Sequence, residues 1–246
     1  MAIHDFRSQR LFVEHDLKES HHFEASREQA NYLLNVLRLK QESEIIIFNG
    51  RDGEWRCQIE PTGRKACTLT PVELMRVQPI ASTLEYAFAP LKQARLDYMV
   101  QKAVEMGAGI LQPVITERTQ VKTLKESRMR SNCIEAAEQC GILTLPETLL
   151  PTNLESYVEA RKDTHRIVFC DEHLAGQAEQ QKLVKSEDRA ISVLIGPEGG
   201  FSNYERELLL RQDNVTAINL GPRILRADTA AVAALTLTQS QIGDWV

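Results

Sequence analysis

The chain has 246 residues, room for two domains, and a formal net charge of −5. It is 43% hydrophobic and 26% charged, which excludes a disordered or fibrous chain. No apolar run approaches the length of a membrane span, and the opening MAIHDFRSQRLFVEHDLKES lacks an apolar leader core, so a cytosolic protein is expected. The cysteines (Cys57, Cys67, Cys133, Cys140, Cys170) are odd in number and form no CxxC pair, and the histidines show no HExxH spacing. Neither a disulfide framework nor a metal site is expected.

In chain order, residues 1–76 are expected to form a small β-rich domain. RLFV (Arg10 to Val13) is a short strand. Ser26 and Gln29 are placed as a capping box for a helix from Arg27 to Leu37, with Ala30, Leu33, Leu34 and Leu37 on one face. EIIIFNG (Glu44 to Gly50) is a strand, and Asp52-Gly53 and Thr62-Gly63 are hairpin signals. Several short strands and one helix suggest a small barrel. Gln78-Pro79 is read as linker.

Residues 80–246 change to a strand–helix alternation, which predicts a largely parallel sheet covered on both faces. Strands are expected at Leu84 to Pro90, in ILQPVIT, and at His165 to Glu172, with a short one within Pro146 to Leu150. Helices are expected over Lys92 to Gly107, over Ser127 to Cys140, and after Asn153 as a cap. Residues 92–130 hold eight Lys/Arg against four Asp/Glu, a basic stretch on an acidic chain. Such a stretch can meet phosphate, or be a solvated helix face. AVEMGAGIL imitates a nucleotide-binding glycine loop but ends a helix and precedes a strand, the reverse of what phosphate binding at a helix start requires.

Two glycine-marked strand ends carry the functional signal. In LIGPEGGFSNYE, Gly196, Gly199 and Gly200 are expected to let backbone approach a ligand closely and to adopt positive φ. Ser202 and Glu205 form a capping box, and Glu198 stands in the turn. In LGPRILRADTA, Arg223 and Arg226 flank apolar Ile224-Leu225, and Asp228 and Thr229 open a helix of small residues. Arg226 beside a helix start is unfavourable with the dipole and invites a partner. Asp228 can cap that helix. Ligands of open α/β sheets bind at such strand ends.

These two segments, with RLFV, VLRLK, QKAVEMG, TERTQV and EAAEQCG, resemble the SPOUT RNA methyltransferases. The resemblance is to the family of ribosomal RNA small subunit uridine-N3 methyltransferases, and it covers nearly the whole chain. Two positions depart from the family pattern: Ile142 where arginine is usual, and Asp228 where glutamate is usual. The resemblance implies a PUA-like β-barrel followed by an α/β domain with a deep trefoil knot. It implies S-adenosylmethionine as cofactor, no metal, and a homodimer acting on 16S rRNA within the small ribosomal subunit. Cofactor contacts are expected from Leu194, Ile195, Gly196, Glu198, Gly199, Gly200, Leu220, Gly221, Ile224, Leu225, Thr229 and Glu172. Arg226 and Asp228 are the expected catalytic pair. Arg10, Arg38, Lys40, Arg118 and Lys122 are expected on RNA. Rival readings are a sister enzyme acting on ribose 2′-oxygen or another base, and a non-catalytic RNA-binding assembly protein.

Overall fold

The computed structural model describes residues 8–176, 183–184 and 189–245, and the chain divides into two units. Unit 1 is Met1–Ile80 with Ala137–Leu145, and unit 2 is Ala81–Ala136 with Pro146–Val246. The segment Ala137–Leu145, which the sequence pattern alone places in the second domain, therefore groups with the first.

Unit 1 contains β1 (Arg10–Phe12), β2 (Phe23–Glu24), α1 (Arg27–Asn31), β3 (Glu44–Phe48), β4 (Glu54–Gly63) and β5 (Ala66–Arg76). The strands form one sheet in the order β1-β3-β4-β5-β2. β1 pairs with β3 in parallel, and the other pairs are antiparallel. Alternation puts Ile45, Ile47, Cys57, Ile59, Cys67 and Leu69 on one buried face with Leu11 and Leu33.

The capping box forms as expected: Ser26 Oγ accepts from Gln29 N at 3.2 Å, and Gln29 Oε1 accepts from Ser26 N at 3.0 Å. The helix does not continue as α to Leu37. Residues Tyr32–Val36 widen into a π-turn, closed by Leu37 N donating to Tyr32 O at 2.9 Å. Leu33 stays fully buried while Leu34 and Leu37 pack at the edge of the core.

A buried ion cluster ties unit 1 together. Arg10 Nε lies 2.9 Å from Glu54 Oε1, and Arg76 Nη2 reaches the same oxygen at 2.9 Å. Arg76 also donates to the Gly141 carbonyl at 2.8 Å. Gly141 has φ +66, and a Cβ there would meet Arg10 Nε at 3.3 Å. Ile142, the departure noted above, is half-buried immediately after it.

Unit 2 contains β6 (Glu85–Phe88), α2 (Gln93–Glu105), β7 (Ile110–Ile115), α3 (Glu126–Cys140, whose last residues belong to unit 1), β8 (Glu147–Thr148) and β9 (Thr152–Asn153). It continues with α4 (Leu154–Arg161), β10 (His165–Cys170), β11 (Ala190–Ile195), α5 (Asn203–Leu210), β12 (Val215–Ile218) and α6 (Ala227–Ile242). The sheet runs β12-β10-β11-β6-β7-β8, with β9 also on β7, and every pair is parallel. Ala87, Ile167, Phe169 and Leu194 on one face pack with Tyr157 of α4 and Leu209 of α5. The opposite face is covered by α6, which also packs on α2.

At the starts of these strands lies a buried polar network. Glu85, whose side chain is fully buried, receives Arg161 Nη2 at 2.6 Å and Ser192 Oγ at 2.8 Å. Tyr157 Oη and Ser192 Oγ are 2.6 Å apart. At the other ends, β10, β11 and β12 stop together, and the chain turns there three times.

Candidate active site

The three turns enclose a cavity of about 320 Å³, within the range of small-ligand sites. Its wall is built from Cys170–His173 after β10, Ile195–Glu198 and Gly200–Phe201 after β11, and Leu220–Gly221 with Arg223–Ala227 after β12. Arg95, at the start of α2, completes it.

Local chemistry shapes each turn. Asp171, almost fully buried, caps the short 3₁₀ turn Glu172–Leu174 by accepting from His173 N at 3.1 Å. Its other oxygen takes Arg206 Nε at 2.8 Å, which ties that turn to α5. Burial pushes the Cys170 thiol well above its usual range, so at neutral pH it is a neutral thiol and no nucleophile. The turn after β11 begins with Ala89 N donating to Ile195 O at 2.9 Å. It ends in the Ser202–Glu205 capping box, where Glu205 Oε1 also accepts from Glu117 N at 2.7 Å.

The glycines act for different reasons. Gly200 has φ +66, a region that disfavours a side chain. Gly196 lies outside that region; its hydrogen is needed because a Cβ would sit 2.6 Å from the buried Phe201 ring. Gly199 likewise lies outside it and is covered by the Arg118 stem, 3.5 Å from where a Cβ would be. Gly221 has φ +102 and open space where a Cβ would project.

Most expected cofactor contacts come together here. Glu172, Ile195, Gly196, Glu198, Gly200, Leu220, Gly221, Ile224 and Leu225 all line the cavity. Leu194, Gly199 and Thr229 do not. Leu194 is fully buried in the core with Phe169. Gly199 turns toward Arg118, and Thr229 is exposed on α6.

Arg226 lines the cavity, exposed, at the N-cap position of α6, and makes no cap bond through its side chain. No ion pair holds Arg223 or Arg226 among the described residues. Asp228 is in the first turn of α6 and accepts from Thr229 N at 2.9 Å. It does not occupy the cap position that the sequence suggested. It is not among the residues that line the cavity, and 19% of its side chain is accessible.

Among the expected RNA contacts, Arg10 lies in the interior. Its side chain is 3% exposed and held by Glu54, so it is a structural cation. Arg118 is exposed, but its Nη1 donates to Gly199 O at 2.7 Å. Arg38, Lys40 and Lys122 are exposed. Arg38 has a left-handed backbone, φ +57.

Arg95 is the site residue that sequence reasoning missed. Its Nη1 is 3.3 Å from Glu198 Oε1 and its Nε is 4.0 Å from Asp228 Oδ2. The available signal was a cation in the first turn of a helix that has no acid there.

The described residues contain no cluster of His, Cys, Asp and Glu able to hold a metal, and no helix long and apolar enough to cross a membrane.

Residues 26–72 match the family model of the RNA methyltransferase PUA domain, and residues 78–239 match that of the RNA methyltransferase domain. A ribosomal RNA small subunit methyltransferase E of Rickettsia conorii is 32% identical, over 92% of this chain and 93% of its own. Its namesake in Bacillus subtilis is 29% identical, over 95% of this chain and 96% of its own. A Legionella pneumophila structure, described as a candidate methyltransferase with bound SAM, is 29% identical at a TM-score of 0.81, covering 95% of this chain and 98% of that one. The fold is shared with the small subunit methyltransferase E of Neisseria gonorrhoeae, at a TM-score of 0.85 and 24% identity, over 98% and 100% of the two chains. With its PUA-like domain and its strand-end cavity, this chain belongs to the RNA methyltransferase family of the ribosomal RNA small subunit methyltransferases E.

Proposed function

We infer that this protein transfers the methyl group of S-adenosylmethionine to N3 of a uridine in 16S rRNA. The observation that carries the reading is the cavity at the ends of β10, β11 and β12, walled by the two segments that resemble the family. The residues fit the cofactor. Gly200 and Gly221 leave the wall free of side chains where the chain must turn. The carboxylates of Glu172 and Glu198 suit a ligand carrying hydroxyl, ammonium and sulfonium groups.

When bound, S-adenosylmethionine supplies an electrophilic methyl group on a cationic sulfur. This chain's own residues do the rest. Uridine N3 carries a proton and is a poor nucleophile until that proton leaves. Arg226, a cation on the cavity wall without an ionic partner among the described residues, faces a uracil carbonyl oxygen and stabilises the developing anion. Asp228, partly accessible, accepts the N3 proton. Asp228 stands in the first turn of α6, one methylene shorter than the usual glutamate.

RNA is held through Arg38, Lys40 and Lys122, which are exposed and have no ion pair among the described residues. Arg10 and Arg118 serve the protein instead. The reading includes domains at 1–76 and 80–246, a closed barrel in the first, a deep trefoil knot in the second, a cytosolic setting, and a homodimer. Exposed Ile224 (78%) between Arg223 and Arg226 supports a site finished by a second surface.

The test is labelled S-adenosylmethionine with unmodified small ribosomal subunits and, separately, bare 16S rRNA, with the product nucleoside identified. The expected product is 3-methyluridine. A 2′-O-methyl nucleoside would overturn the base assignment, and cofactor binding without any RNA product would favour an assembly role.

A further inference from the structure

Two helices start at the cavity, and each carries an arginine where a helix start disfavours cations. Arg226 is the N-cap residue of α6. Arg95 lies in the first turn of α2, which contains no acid and follows Lys92, an N-cap residue without a side-chain cap bond. Neither arginine helps its own helix. Arg95 differs from Arg226 in being held. It reaches Glu198, on the turn after β11, at 3.3 Å, and Asp228, in α6, at 4.0 Å. One guanidinium thus stands between the two segments that build the site. Its planar fork of five donors can serve two carboxylates together, which a lysine ammonium on a flexible stem does poorly.

We propose that Arg95 is a positioning residue for methyl transfer. Its charge faces the Asp228 carboxylate at 4.0 Å, an ion pair too long for a hydrogen bond, and links it, through Glu198, to the Gly196–Gly200 turn. A cofactor seated against that turn then fixes the acid that takes the N3 proton. Arg95 acts through Asp228 and neither gains nor loses a proton in the reaction. The proposal rests on Asp228 as proton acceptor, as stated above.

The experiment uses the full chain, with turnover on small ribosomal subunits and S-adenosylmethionine binding by calorimetry. Arg95→Met lowers kcat by about 10²-fold, the scale expected when a reacting group is misplaced by about 1 Å. Cofactor affinity stays nearly unchanged, which also shows that the variant is folded. Arg95→Lys recovers part of the loss. Asp228→Asn lowers kcat by itself, and adding Arg95→Met to it costs little more, because the two act in one chain of contacts. Multiplicative defects in the double variant would overturn the proposal while leaving the acceptor role standing. So would a loss confined to cofactor affinity, or Arg95→Lys no better than Arg95→Met. Full turnover by Asp228→Asn would overturn the acceptor role, and the Arg95 proposal with it.

Discussion

The Arg118 guanidinium donates to the carbonyl of Gly199 at 2.7 Å, across 81 residues of sequence. Glu117 N, the neighbouring residue's amide, donates to Glu205, so the loop after β7 is clipped to the middle and to the end of the turn after β11. A residue whose charge suggested RNA therefore braces the turn that walls the cavity. Arg118→Ala is expected to weaken S-adenosylmethionine binding by roughly 3- to 10-fold, the range of one exposed charge-assisted hydrogen bond. The salt dependence of RNA binding is expected to stay as it was. Calorimetry and a salt titration check both halves.

Gly196 and Gly200 separate two reasons for glycine. At Gly196 a methyl group meets a buried aromatic ring at 2.6 Å. Gly196→Ala is expected to push Phe201 into the core and cost about 1–3 kcal/mol, with loss of cofactor binding. At Gly200 the nearest atom is the mobile end of Glu172, so space is found readily, and the positive φ costs about 1–2 kcal/mol. Adding Glu172→Ala is expected to leave the Gly200→Ala deficit unchanged. Thermal unfolding of the three variants and the double variant measures this.

Glu54 makes unit 1 sensitive to acid. Burial would raise its carboxyl, but the bonds from Arg76 and Arg10 outweigh burial and hold it below the ordinary glutamate value. A depressed carboxylate stabilises the fold above its unfolded pKa of about 4.3, and that contribution fades as pH falls through the lower folded value. Glu54→Gln is expected to lower stability at neutral pH, by leaving two arginines without their shared anion, and to flatten the loss on acidification. Melting curves from about pH 7 to about pH 3 give the comparison.

Arg161 is expected to matter for stability and not for chemistry. It neutralises Glu85, whose side chain is fully buried at the strand starts, away from the cavity. Arg161→Met strands that carboxylate and is expected to cost about 3–5 kcal/mol. The double replacement with Glu85→Leu removes the stranded charge and is expected to recover most of it. Denaturant midpoints test the difference, and turnover per folded molecule stays near wild type.

Much of this protein was settled locally. The Ser26–Gln29 and Ser202–Glu205 capping boxes, the alternation of strands and helices in unit 2, and the glycine-marked ends of β11 and β12 depend on residues a few positions apart. Neighbouring chemistry dictates them, so the sequence alone indicated two of the turns that wall the cavity. It could not say which arginines were free. Arg10, Arg118 and Arg226 carry the same guanidinium, but Arg10 meets Glu54 44 residues away and Arg118 meets Gly199 81 residues away, while Arg226 has no such partner among the described residues. Leu194 and Ile195 are adjacent and equally apolar, and the pleat of β11 sends one into the core and leaves the other at the cavity. Arg95 joined the site only because α2 starts beside turns that follow it by about a hundred residues. A charge's role follows from the partner nearest to it, and only the tertiary fold decides which one that is.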